Sequence, residues 1–160
     1  MALTTAQLTT LKNDINADPA FVGVPMNSDG HFTIAAAYNL QAAPDWWVWR
    51  TRVPTADCKT ATNWTEFIGR SQVERDAWQF MLSNGFINAA DVNVRQGIGD
   101  IFSGPSGVDT RTRLTDIAKR KALRVEKLFS TGTGSQVSPA TMGFEGNLSW
   151  QDVDAARTLP

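Results

Sequence analysis

The chain of 160 residues has a single cysteine, a single histidine and a single tyrosine. With Cys58 alone, no intrachain disulfide can form, so the fold is not a disulfide scaffold and a reducing compartment is the simplest expectation. One histidine and one cysteine are too few soft ligands for a zinc site, and no metal or other cofactor is expected. An excess of charge of either sign is also missing. Fifteen basic residues face sixteen acidic ones for a net charge of −1, which excludes a globally basic nucleic-acid coat while leaving local patches open. No stretch approaches the ~18 apolar residues of a membrane span, and the first residues lack a basic-then-apolar leader. The expectation is a protein made in the cytoplasm, with no membrane partner.

What is present fits a globular chain: 42% hydrophobic and 19% charged residues, in a length that suits one core. Six tryptophans and eight phenylalanines supply large side chains of the kind that anchor cores and interfaces.

The periodicity predicts a mainly α fold, a compact bundle of about five helices. Thr4-Thr5-Ala6-Gln7 is a capping box ahead of Leu8, Leu11 and Ile15, and Asp18-Pro19 ends that helix. Ser28-Asp29-Gly30 precedes an alanine-rich helix to Leu40. A third helix starts at Ser71-Gln72-Val73-Glu74, runs through Ala77, Phe80 and Met81, and stops at Ser83-Asn84-Gly85. Asn88 caps a fourth, through Val94, Ile98 and Ile101, which Gly104-Pro105-Ser106-Gly107 ends. The fifth and longest is expected from about Asp109 to Ser130, with Leu114, Ile117, Ala118, Ala122, Val125 and Leu128 or Phe129 as its apolar stripe. Residues 131–149 have no helical period and read as an extended arm, followed by a short helix capped by Ser149. The expected organisation is therefore a helical body over 1–130 and a C-terminal arm with a short helix over 131–160.

Catalytic patterns are weak. Gly97-Ile98-Gly99 lacks the third glycine of a dinucleotide loop, and Thr131-Gly132-Thr133-Gly134-Ser135 lacks the Gly-Lys-Ser/Thr ending of a phosphate loop. His31 reads as a cap or packing residue and Cys58 as an inert buried thiol. No catalytic residue is assigned and the chain is expected not to be an enzyme. The alternative from another class is a cell-wall-degrading enzyme drawing its acid from Glu66, Glu74, Glu126 or Glu145.

Two clusters remain. Seven of the fifteen basic residues fall between Arg111 and Lys127, and on one helix Arg113, Arg120, Arg124 and Lys127 would share a face. That stripe could be a solvated surface, a partner for acidic residues of a neighbour, or a phosphate contact. Trp46, Trp47 and Trp49 lie in an aromatic and β-branched run, 45–53, where helix and strand remain open. Either geometry spreads the three over more than one face, so cover must come from the chain's own core or from a subunit interface.

The blocks Met26-Asn27-Ser28-Asp29-Gly30 and Ala35-Ala36-Ala37-Tyr38-Asn39, with Arg124 to Ser135, Pro139-Ala140-Thr141, Phe144-Glu145-Gly146 and Ser149-Trp150-Gln151-Asp152-Val153, resemble a family of short tailed-phage virion proteins. Size, helical content and arm resemble head-to-tail connector, or adaptor, proteins within that class. The resemblance implies a ring of about twelve copies docked on the portal protein, neighbouring a tail or neck protein, with non-specific contact to packaged DNA possible at the basic face. It places the chain in the virion at the head-tail junction. A capsid-decorating or tail-associated protein is the structural alternative, and a host-directed binding protein a further one. Val137, Phe144, Leu148, Trp150 and Val153 of the arm, with Trp46, Trp47 and Trp49, are the candidate subunit or portal contacts, since large apolar residues in an aperiodic segment read as anchors that order against a partner.

Overall fold

The structure is a computed structural model that describes residues 3–160. It is mainly α. Helices α1 (Thr5–Ala17), α2 (Ser28–Tyr38), α3 (Thr55–Ala61), α4 (Trp64–Ile68), α5 (Gln72–Met81), α6 (Val92–Ile101), α7 (Val108–Ile117), α8 (Arg124–Leu128) and α9 (Trp150–Arg157) alternate with short strands. Strands β1 (Trp47–Trp49) and β4 (Lys119–Lys121) pair antiparallel, as do β2 (Val53–Pro54) with β3 (Phe86–Ile87) and β5 (Ser130–Thr131) with β6 (Thr141–Met142).

Three helix starts follow local chemistry. Thr4 with Gln7, Ser71 with Glu74 and Ser149 with Asp152 form reciprocal capping boxes, each satisfying two backbone N–H groups that the helix cannot. The cap of α6 is Asp91, which accepts from the Asn93 N–H, rather than Asn88.

The long fifth helix does not form. Helix α7 stops at Ile117, Lys119–Lys121 becomes a strand, and α8 begins only at Arg124. The cause is non-local: Trp47, Val48 and Trp49 lie opposite Lys121, Arg120 and Lys119, the Arg50 N–H donates to the Ala118 carbonyl, and the Ala122 N–H donates to Trp46. Burying Val48 against Ala122 outweighs a helical propensity of a few tenths of a kcal/mol per residue. The apparent apolar stripe is shared among three clusters, with Leu114 and Ala118 in one, Ala122 in another and Val125 in a third.

Those clusters define the architecture. A terminal lobe buries Leu11, Ile15, Ile34 and Tyr38 of α1 and α2 against Val125, Leu148, Val153 and Ala156. A middle lobe buries Cys58, Trp78, Ile101 and Leu114 of α3, α5, α6 and α7, with Phe102 just past the end of α6. Between them lies a seam where Val48 packs on Ala122 and Ala140. The division expected at residue 130 does not follow this packing, because α9 lies against α1 and α2 and completes the core they begin.

Candidate functional site

The residues expected to form a basic stripe are taken up one by one inside the chain. Arg120 grips Glu126 with both terminal nitrogens, at 2.6 and 2.7 Å, and reaches Glu145 at 3.3 Å. Glu126 is 1% exposed, and its oxygens also accept the N–H groups of Leu123 at 2.9 Å and Gly146 at 3.1 Å. Burial pushes the Glu126 carboxyl up, but the Arg120 hydrogen bonds and the two amides outweigh it and hold the group below the usual carboxylate range. The same pairing with Glu126 raises Arg120. Thr51 donates its hydroxyl to Glu145, so strand, helix and C-terminal segment are fastened at one point.

Arg124 bonds Asp18 at 2.6 Å and Asp14 at 3.2 Å and lies over the Tyr38 ring, whose hydroxyl donates to Asp14. Burial, then the bond to Asp14, pushes the Tyr38 phenol far up, so it stays protonated. Arg113 pairs with Asp109 one turn back, at 2.8 Å. The Lys127 ammonium sits 5.2 Å from the centre of the Trp46 ring. Arg113, Arg120, Arg124 and Lys127 thus occupy three different elements, with only Arg124 and Lys127 sharing one, at a cleft beside α8; the expected four-residue stripe is corrected to a set of separate intrachain ties.

The tryptophan cluster resolves as strand. Trp47 and Trp49 are half-buried, and Arg95 stacks 4.5 Å from the Trp49 ring. Trp46 donates its indole N–H to Ser130 at 2.9 Å and lies flat against Gly134, whose φ is +62°. A β-carbon at 134 would come within 2.0 Å of that indole, so glycine is required there by both conformation and space.

The expected arm folds back on the body. Leu148 and Val153 are core residues, Phe144 packs edge-on to Phe129 at 5.8 Å, and Trp150 meets Phe32 at 5.7 Å. Asn39 holds the segment by donating to the Leu148 carbonyl and accepting its N–H, at 2.9 and 2.8 Å. Of the five arm residues, Val137 alone projects freely, 95% exposed at the tip of a loop tied by Thr133, Ser135 and Ser138.

The four glutamates have structural engagements. Glu66 accepts the N–H groups of Asp109 and Thr110 at the start of α7, and Glu74 closes the Ser71 capping box. Glu126 and Glu145 are close to one another but share Arg120, and Glu126 is sealed from solvent. His31 and Cys58 are buried apart. His31 Nδ1 faces Asp154 on α9 at 3.4 Å, whereas Cys58 lies in the middle lobe with its thiol pushed up to about 11 by burial. Among the described residues no group of three His, Cys, Asp or Glu side chains could hold a metal ion, and no helix is long and apolar enough to cross a membrane.

No protein-family model, no curated protein and no solved structure matches the chain.

The surface that sequence reading missed is apolar. Trp64 and Ile68 on α4, and Val73 and Phe80 on α5, are 53%, 70%, 79% and 76% exposed. Arg75 binds the two helices together by donating to the carbonyls of Ile68 and Arg70, which sets Ile68 beside the first turn of α5. Beyond Phe80 the surface dips into a groove of about 370 Å³ lined by Met81, Phe86, Ile87 and Val94, with Asn84 and Asn88 at its polar edge. A second, more polar cleft of about 690 Å³ lies between Leu40, Gln41 and α8. A signal for the ribbon existed: α5 carries apolar residues on two faces, Trp78 and Met81 on one and Val73 and Phe80 on the other, more than one core requires. An exposed apolar strip of this kind is suited to recognising another macromolecule.

Proposed function

We propose that the chain is a non-enzymatic structural subunit of a tailed-phage virion, acting at the head-to-tail junction as a connector docked on the portal. The observation that carries this reading is the use made of the blocks that resemble short virion proteins. The segments that carry those blocks, 26–39 and 144–154, pack on each other: Phe32 on Trp150, Asn39 on Leu148, His31 on Asp154. Segments built for chemistry would turn polar side chains into a shared cleft. These are engaged in each other's packing, which supports a chain whose product is a shaped subunit. The exposed apolar side chains of α4 and α5 support assembly in addition.

The portal contact is assigned to surfaces that the folded chain leaves open, the Val137 loop and the apolar strip, since Leu148 and Val153 are already committed to the core. Mass spectrometry of washed particles followed by a particle reconstruction tests the reading. Density for the chain between portal and tail is the expected result. Absence from washed particles, or a position on the capsid lattice or tail tube, would overturn it.

A further inference from the structure

The apolar strip has a charge at its centre. Asp76 lies between Val73 and Phe80 on the outward face of α5, at the i+3 position of a two-turn repeat, and it is exposed. Its carboxylate accepts a hydrogen bond from Gln72 at 2.7 Å but meets no cation, because Arg75 is turned onto backbone carbonyls and the Gln72 oxygen. Among the described residues, moreover, no ion pair involves any position from 46 to 108.

This arrangement decides what can cover the strip. A second copy laid strip to strip would bring Asp76 toward its own counterpart near the two-fold axis, and like charges facing each other in a desolvating interface oppose association. A polar surface would leave four large apolar side chains in water. The complement is a segment with two apolar anchors separated by two helical turns and a Lys or Arg between them.

We propose that the α4–α5 strip docks an amphipathic helix of a different protein, with its anchors over Ile68, Val73 and Phe80 and its basic side chain on Asp76. The inference stands whatever assembly the chain belongs to. Particle localisation can therefore fail without touching it, and a failure of helix binding would leave the head-to-tail position standing with the Val137 loop as its portal contact.

The test uses the full chain and two labelled synthetic helices, identical in their two leucines one heptad apart but carrying lysine or glutamate at the intervening position. Fluorescence anisotropy should show the lysine helix binding about tenfold more tightly than the glutamate helix, the size of one well-placed charge pair. Asp76→Asn should close that gap, Asp76→Lys should reverse it, and Phe80→Asp should weaken both helices. Phe80 is exposed, so circular dichroism of that variant should match the parent. Equal affinities for the parent chain, a gap that survives Asp76→Asn, or no saturable binding of either helix would each overturn the proposal. So would concentration-dependent dimerisation of the chain alone that Phe80→Asp abolishes, since a second copy would then be the occupant.

Discussion

The two lobes are held together by different forces. The terminal lobe and its seam are tied by ion pairs that span long stretches of sequence: Arg124 to Asp14 and Asp18, Lys121 to Asp45, Arg120 to Glu145. In the middle lobe, apart from the one-turn pair of Arg113 with Asp109, the arginines reach carbonyls and rings instead. Arg70 donates to Ser103 and Ser106, Arg50 to Ile117, Arg111 to Gly104, and Arg52 lies 3.8 Å from the centre of the Phe86 ring. A lobe assembled from both ends of the chain has to bring distant segments into one register, and charged hydrogen bonds add that specificity. The middle lobe is nearly contiguous in sequence, closes on Trp78 and Phe102, and leaves its outer helices free to carry an apolar strip.

The comparison can be broken most directly by truncation. Removing residues from Thr131 onward deletes α9 and Leu148, and with them one wall of the terminal core. The expected outcome is loss of the terminal lobe's amide protection in hydrogen exchange while protection persists within 50–118. A truncated chain that keeps α1 and α2 fully protected would show that the arm is separable after all.

Single substitutions should separate the lobes by mechanism. Trp78→Ala opens a cavity in the middle lobe and should cost about 3–5 kcal/mol by urea denaturation, by loss of packing alone. Glu126→Gln neutralises a sealed carboxylate while Arg120, 31% exposed, keeps Glu145, and should cost less, about 1–3 kcal/mol, as weakening hydrogen bonds to a charged group does. Salt should leave the Trp78→Ala cost unchanged.

Acid should then distinguish them. The folded-state pKa of Glu126 is depressed, so its contribution is fully present above the ordinary carboxylate value of 4.5 and is lost as pH falls through the lowered value. The terminal lobe is expected to loosen as pH falls below 4.5, followed by near-ultraviolet circular dichroism, and Glu126→Gln should weaken that transition. The smallest effect belongs to the strip: Phe80→Asp should change stability by no more than about 0.5 kcal/mol, because the ring is already in water. A larger loss on thermal melting would mean that Phe80 is part of the middle core.

The parts of this fold legible in the sequence are those whose cause lies within a few residues. Thr4, Ser71 and Ser149 mark helix starts because each side chain bonds a backbone group three residues away. The helix expected across 109–130 failed for the opposite reason. Whether Lys119–Lys121 is helix or strand is set by Trp47–Trp49, which lies some seventy positions earlier in the chain. The candidate site suffered likewise, since spacing showed that Arg120 and Arg124 could share a face but gave no sign that Glu126, Asp14 and Asp18 would take them up.

By itself, then, the sequence determined a mainly helical chain without a disulfide and with its principal caps in place, because propensity, capping and cysteine count are local quantities. Only the tertiary structure decided that the apparent arm is a wall of the core, that the basic run is divided among separate ties, and that Trp64, Ile68, Val73 and Phe80 stay exposed. Burial and charge pairing depend on which segments meet, and that is settled by packing across the whole chain.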